Sequence, residues 1–253
     1  EREAGGAGGA ARCGADAECC NAATGRGSKG PLKPEMVREA GNMARHPDQD
    51  DPDFIDDALQ LLGTPHDYAN NRPLATFGDT SAATGIAARL AAMLWAKYPQ
   101  LTPEAVRALL VHSSAWTDPM LARFTNAENQ VDYDAVVRCF GYGVPDVGQL
   151  LSSADNSLTL IAQGSIQPFH KDGNDVKTRE MKLHGLPWPT DVLEQLQETP
   201  VTLRITLSYF IEPNPGDRGW TTKYGYQSHG LRFAVKPPSE SVRHVQHRSV
   251  IPL

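Results

Sequence analysis

Ser81 is the residue of this sequence that is best placed to do chemistry. It lies in the segment Gly78–Gly85, GDTSAATG, directly before a run of small and apolar residues from Ile86 to Trp95. A serine in the first turn of a helix has unsatisfied backbone N–H groups and the positive end of the helix dipole beside its hydroxyl. Acyl transfer needs such a hydroxyl together with donors for a developing oxyanion. We therefore interpret Ser81 as a candidate nucleophile, supported by Thr80 and by the turn at Gly78.

A second interpretation of the same residues is structural. A Thr–Ser pair before an alanine-rich helix is commonly only a helix cap, and the motif alone favours that interpretation. The alanines that follow, at 82, 83, 87, 88, 91, 92 and 96, predict a thin helix. Because this helix is apolar on every side, we expect it to be buried all round.

The segment around Ser81 resembles the nucleophile motif of the subtilisin-like serine proteases, Gly-Thr-Ser-x-Ala-x-Pro. Two positions depart from the motif, since Asp79 replaces the glycine and Gly85 the proline. Further segments are similar to family motifs in the same order, so that the resemblance covers roughly residues 22 to 150. These segments are Thr24–Gly27, Lys33–Val37, Glu39–Asn42, Tyr98–Leu110 and Gly141–Asp146.

The resemblance implies a serine endopeptidase that acts on proteins or peptides. We expect no cofactor and assign no metal-binding residues. In that family the aspartate, the histidine and the oxyanion asparagine all precede the Lys-Pro segment, which here begins at Lys33. His46 and His66 come after it and have the sequence context of solvated loops, while Asn21 and Asn42 do not match the asparagine by position. We therefore expect the chain to be the C-terminal portion of a longer protease and to be inactive alone. The alternative is a non-catalytic scaffold that keeps the protease fold.

The predicted fold class is α/β, with three parts. Residues 1–30 are rich in Gly and Ala and indicate a flexible or poorly matched segment. For residues 31–150 the resemblance implies the C-terminal part of a three-layer subtilisin-like domain with a parallel sheet. Residues 151–253 change to alternating patterns that predict an antiparallel β-sandwich, which could bind a partner protein.

Local patterns predict the individual elements. Thr102 and Pro103 mark the start of one helix, acidic residues precede a short amphipathic helix over Phe54–Leu62, and another helix is predicted over Asp191–Gln197. The strongest period-2 run, from Val201 to Ile211, predicts a strand, and shorter runs near residues 158–163 and 231–235 predict two more.

Composition limits the possible partners. The net charge of −6 and the lack of any Lys/Arg block argue against nucleic acid, and no run of apolar residues is long enough to cross a membrane. Cysteines at 13, 19, 20 and 139 form no metal-binding pattern and indicate reduced thiols in a cytoplasmic protein.

Two further features each have two interpretations. The acidic stretch from His46 to Asp57 suits calcium, but its irregular spacing favours a solvated insertion. Trp188 and Trp220 could contact a sugar or a protein, although packing over the core of a sandwich is favoured.

Overall fold

The computed structural model describes residues 34–41, 44, 45, 52, 53, 57–69, 73–152, 159–185, 189–210, 231 and 233–235. The chain groups into two compact units. One consists of Glu1–Pro99 and Leu109–Leu151, and the other of Gln100–Ala108 and Ser152–Leu253. The segment 1–30, nearly all of the acidic stretch, Trp188 and Trp220 lie outside the described residues, so the interpretations of these features remain predictions.

Six α-helices are formed by the described residues. They are α1 (Asp79–Lys97), α2 (Pro103–His112), α3 (Asp118–Ala122), α4 (Tyr133–Phe140), α5 (Val147–Ser152) and α6 (Thr190–Leu196). The predicted start of α2 is confirmed, because the Thr102 hydroxyl accepts a hydrogen bond from the backbone N–H of Ala105 at 3.3 Å. Asp132 caps α4 in the same way through the N–H of Ala135 at 3.1 Å.

The described strands form four antiparallel pairs. These pairs are β1 (Ala44–Arg45) with β2 (Pro52–Asp53), β3 (Leu61–Gly63) with β4 (Ala75–Phe77), β5 (Ser114–Ala115) with β6 (Val144–Pro145), and β7 (Phe169–Asp172) with β8 (Asp175–Thr178). No parallel sheet is present among the described residues, so the parallel sheet implied by the family resemblance stays a prediction.

The amphipathic helix predicted over Phe54–Leu62 is wrong in its second half. A short 3-10 helix covers Asp57–Leu59, and the chain then enters strand β3. The reason is non-local, because Leu61 pairs with Phe77 and Gly63 pairs with Ala75 on β4. Those cross-strand hydrogen bonds override the helical pattern of the apolar residues.

A hydrophobic core lies between α3, α4 and the segments beside them. Its fully buried members are Met120, Val136 and Phe140, and residues from several other segments pack against them. The surrounding, partly buried residues are Val37, Trp116, Leu121, Phe124, Val131, Cys139 and Val144. Phe124 meets Phe140 edge to face with ring centroids 6.0 Å apart, a favourable aromatic geometry.

Helix α1 is buried on one stripe only, which corrects the expectation that it is buried all round. Its buried residues are Ala82, Leu90 and Leu94, which are spaced by multiples of four and therefore share a face. Trp95, on another face, is 41% exposed. Complete burial needs neighbours on every side, and the described two-stranded sheets and short helices cannot cover a 19-residue helix in this way.

The described residues after Ser152 contain one hairpin, β7–β8, and helix α6. The predicted helix near Thr190 is confirmed as α6. The predicted strands are not formed at 159–163, 201–210, 231 or 233–235. Val201, Leu203 and Leu207 of the period-2 run are exposed. No described segment pairs with this run through the backbone hydrogen bonds that a strand requires. The β-sandwich therefore stays a prediction.

Cys139 corrects the expectation of reduced thiols. This residue is disulfide-bonded and packs beside the core formed by Met120, Val136 and Phe140. The other cysteines, at 13, 19 and 20, are more than 100 residues away in the sequence. Cysteine spacing alone therefore did not indicate a disulfide. The cytoplasmic location stays a prediction. Among the described residues, no helix is long and apolar enough to cross a membrane.

Candidate active site

The β3–β4 hairpin leads the chain into the start of α1, where Ser81 lies. Strand β4 ends at Phe77, and Gly78 follows in an extended conformation as the N-cap of α1. Asp79, the first helical residue, has a φ of +68°. This left-handed region is one that glycine adopts freely and that Asp tolerates better than most residues. The substitution of Asp for the motif's glycine therefore leaves a glycine-like backbone turn two residues before Ser81.

A hydrogen bond from the preceding segment holds this turn in place. The backbone N–H of Asp79 donates to the carbonyl of Ala40 at 2.8 Å, and Ala40 is only 6% exposed. Sequence analysis placed Ala40 in a small-residue loop but gave it no role. The acceptor is the backbone carbonyl of Ala40, which every residue type has. The sequence therefore indicated this contact only through the motif Glu39–Asn42.

The same segment is hydrogen-bonded to the turn that follows α4. The N–H of Tyr142 donates to the carbonyl of Glu35 at 2.9 Å, and the N–H of Val37 donates to the carbonyl of Gly143 at 3.0 Å. Arg38 adds a side-chain hydrogen bond from Nη1 to the carbonyl of Pro145 at 3.2 Å. Three motifs that are far apart in sequence therefore form one hydrogen-bonded group at the start of α1.

Two glycines make this close approach possible. Gly141 has a φ of +56°, and a Cβ built there would lie 2.4 Å from the carbonyl oxygen of Pro34. Gly143 has a φ of +99°, and a Cβ there would lie 2.2 Å from the carbonyl oxygen of Ala115. Both positions combine a left-handed backbone with contact against another backbone, so any side chain would push the segments apart.

Ser81 is accessible and does not cap the helix. Ser81 is exposed, whereas its neighbour Ala82 is 1% exposed and anchors the helix start. Gly78 is the N-cap, and no side-chain capping hydrogen bond is formed there. No described residue forms a hydrogen bond with the Ser81 hydroxyl. The structure therefore favours the interpretation of Ser81 as an available hydroxyl over that of a helix cap.

Backbone groups supply the positive electrostatic potential at Ser81. The first N–H groups of an α-helix have no acceptor within the helix, and the helix dipole adds partial positive charge there. The N–H of Asp79 is used by Ala40, which leaves the N–H groups of Thr80 and Ser81 at the helix start. These groups could hold an oxyanion that forms beside the Ser81 hydroxyl.

Among the described residues, no histidine forms a hydrogen bond with Ser81. His66 is exposed in the connection between β3 and β4, beyond the Gly63–Ala75 pair, whereas Ser81 continues from the opposite end of the hairpin. Along β3, the two residue steps from Gly63 to Leu61 alone separate these two ends of the hairpin by roughly 7 Å. His46, Asn21 and Asn42 lie outside the described residues. Within the described part of the chain, no group of His, Cys, Asp and Glu side chains could hold a metal ion.

Comparison with known protein families decides the relationship that these motifs indicate. The Subtilase family profile matches residues 15–143, just over half of the chain, and ends within the motif Gly141–Asp146. The chain belongs to the subtilase family. Searches of curated proteins and of solved structures find no match.

Membership of the subtilase family gives the arrangement at Ser81 its chemical context. Subtilases are serine proteases with an α/β catalytic domain, and their substrates are proteins or peptides. In this subtilase, an exposed serine lies at the start of a helix. Its position depends on the turn at Gly78 and Asp79, the carbonyl of Ala40 and the backbone around Gly143.

Proposed function

We propose that this subtilase is a serine endopeptidase in which Ser81 is the nucleophile. Ser81 Oγ attacks the scissile carbonyl carbon, and the N–H groups at the start of α1 hold the resulting oxyanion. Collapse of the tetrahedral intermediate expels the amine and leaves an acyl-enzyme on Ser81, which water then hydrolyses. The observation that carries this proposal is the exposed Ser81 at a helix start that is anchored by the hydrogen bond from Asp79 to Ala40.

The proton relay is proposed to come from sequence upstream of this chain. A subtilase places its aspartate and histidine before the serine in the chain, and the only histidines before Ser81 here are His46 and His66. The missing residues would belong to the earlier part of a three-layer domain with a parallel sheet, and residues 151–253 would form the following sandwich. We therefore expect the 253-residue chain alone to lack peptidase activity.

Hydrolysis of casein tests this assignment. The full-length product should cleave casein, and Ser81→Ala should reduce the rate by about 1,000-fold or more, because removing a member of the triad leaves only residual catalysis. Ser165→Ala changes another exposed serine and is the matched control, with an expected rate equal to wild type. Activity retained in Ser81→Ala would overturn the assignment.

A non-catalytic scaffold is the second candidate function. It is favoured by one observation, which is that no histidine among the described residues forms a hydrogen bond with Ser81. A full-length product that carries no upstream Asp-x-Gly and His-Gly-Thr motifs, and that cleaves no casein, would establish the scaffold instead of the protease.

A further inference from the structure

Asp79 places a fixed negative charge beside the candidate nucleophile. Its backbone is held by the 2.8 Å hydrogen bond to Ala40, which is itself buried, and its φ of +68° sets the direction in which the chain enters α1. Asp79 and Ser81 are two residues apart, so their Cα atoms are separated by at most about 7.6 Å. A charge acts over about 8 Å at physiological ionic strength, so a substrate at Ser81 lies within the field of this carboxylate.

The side chain of Asp79 forms no ion pair within the described part of the protein. The residue is exposed, and it has no ion pair and no side-chain hydrogen bond with any described residue. The first cationic side chain along α1 is that of Arg89, ten residues further on. This separation corresponds to roughly 15 Å along the helix axis, which exceeds the Debye length of about 8 Å at physiological ionic strength.

We propose that Asp79 makes the Ser81 site selective for cationic polypeptide segments. The carboxylate attracts a Lys or Arg side chain that flanks the scissile bond and repels Asp or Glu at the same position. At about 0.01 M ionic strength, where the Debye length is about 30 Å, a unit charge about 7 Å away changes the local concentration of a monovalent ion roughly twofold, so the ratio of cation to anion changes roughly fivefold. This selectivity rests on the proposed protease function, although the field that causes it can be measured without catalysis.

The first experiment measures the field at residue 81 in the 253-residue chain. In the Ser81→Cys variant, the thiolate displaces methanesulfinate from methanethiosulfonate reagents and forms a mixed disulfide. One reagent carries a trimethylammonium group and the other a sulfonate, and peptide-level mass spectrometry follows modification at residue 81. At about 0.01 M ionic strength, adding Asp79→Asn should lower the cationic-to-anionic rate ratio roughly fivefold, and about 1 M salt should reduce this effect to less than twofold.

A matched control separates Asp79 from other surface charges. Asp118 is also an exposed carboxylate in the first turn of a helix, α3, and Asp118→Asn should leave the reagent ratio within about twofold of its starting value. A ratio that does not respond to Asp79→Asn, or that responds equally to Asp118→Asn, would overturn the proposal. Changes in the thiol's own ionisation affect both reagents equally and therefore cancel in the ratio.

The second experiment uses the full-length product and two peptides that differ only by Lys or Glu directly after the scissile bond. At about 0.01 M ionic strength, wild type should cleave the Lys peptide roughly fivefold faster by kcat/KM, and Asp79→Asn should bring the two rates together. Equal cleavage by wild type, beside a shifted reagent ratio, would overturn the selectivity alone. Failure to cleave either peptide would overturn the protease function and the selectivity with it.

Discussion

Asp79 has a left-handed backbone conformation at the position where the subtilase nucleophile motif has glycine. Its positive φ is compatible with the rest of the site because the N–H of Asp79 points to Ala40 and the helix starts normally after it. Asp and Asn enter the left-handed region more readily than other non-glycine residues. The departure from the motif at this position therefore keeps the turn while adding a charge.

Substitutions at Asp79 test this account of the turn. The unfolding free energy of Asp79→Ala should be about 1 kcal/mol lower than that of Asp79→Asn, because alanine has no side-chain group to support the left-handed conformation. Both variants lose the charge, so their difference isolates the backbone effect. Urea denaturation of the 253-residue chain measures it, and equal stability of the two variants would show that Asp79 does not hold a strained turn.

At the scale of elements, the positioning of Ser81 depends on contacts between segments that are distant in sequence. Helix α1 and the start of α2 could be predicted because alanine content, Thr102 and Pro103 are local signals. Strand β3 and the contact from Asp79 to Ala40 could not, since each depends on a partner elsewhere in the chain. The exposed run 201–210 shows the same limit, because alternation alone provides no neighbouring strand.

The glycines of the turn after α4 provide the first test at this scale. Gly141→Ala and Gly143→Ala should each lower the unfolding free energy by about 3 to 5 kcal/mol, through left-handed strain plus a clash with backbone. Gly173→Ala is the matched control, since Gly173 has a φ of +63° but nothing within 4 Å of a built Cβ. It should cost only about 1 to 2 kcal/mol. Equal losses at all three positions would refute the close approach.

Gly85 provides the opposite test on α1. It lies in the helix interior, is exposed, and has nothing within 4 Å of a built Cβ. Gly85→Ala should therefore raise the unfolding free energy by about 0.5 to 1 kcal/mol through helix propensity. A clear loss of stability in chemical denaturation would mean that this face of α1 is packed in the 253-residue chain.

At the scale of the whole molecule, two features could not be derived from composition. The cysteine count of four allowed reduced thiols, yet Cys139 forms a disulfide at the edge of the α3–α4 core. The long apolar stretch of α1 indicated complete burial, yet only one stripe is covered by the described residues. Both depend on how distant segments meet, which residue types alone do not specify.

The disulfide of Cys139 should contribute to global stability. Cys139→Ser should lower the unfolding free energy by about 2 to 5 kcal/mol, because the cross-link no longer restricts the unfolded chain. Thermal unfolding with and without a reducing agent checks this expectation. Reduction should lower the Tm of wild type and leave the Tm of Cys139→Ser unchanged. An unchanged wild-type Tm would show that the disulfide does not stabilise the fold.

The most direct test of the central claim is covalent labelling by a fluorophosphonate probe, which reacts with activated serines. The full-length product should be labelled, with the adduct mapped to the peptide that contains Ser81, whereas Ser81→Ala and the 253-residue chain should not be labelled. That result would establish Ser81 as a nucleophile whose base lies upstream. Absence of labelling in every form, or an adduct on a different serine, would contradict the assignment of Ser81.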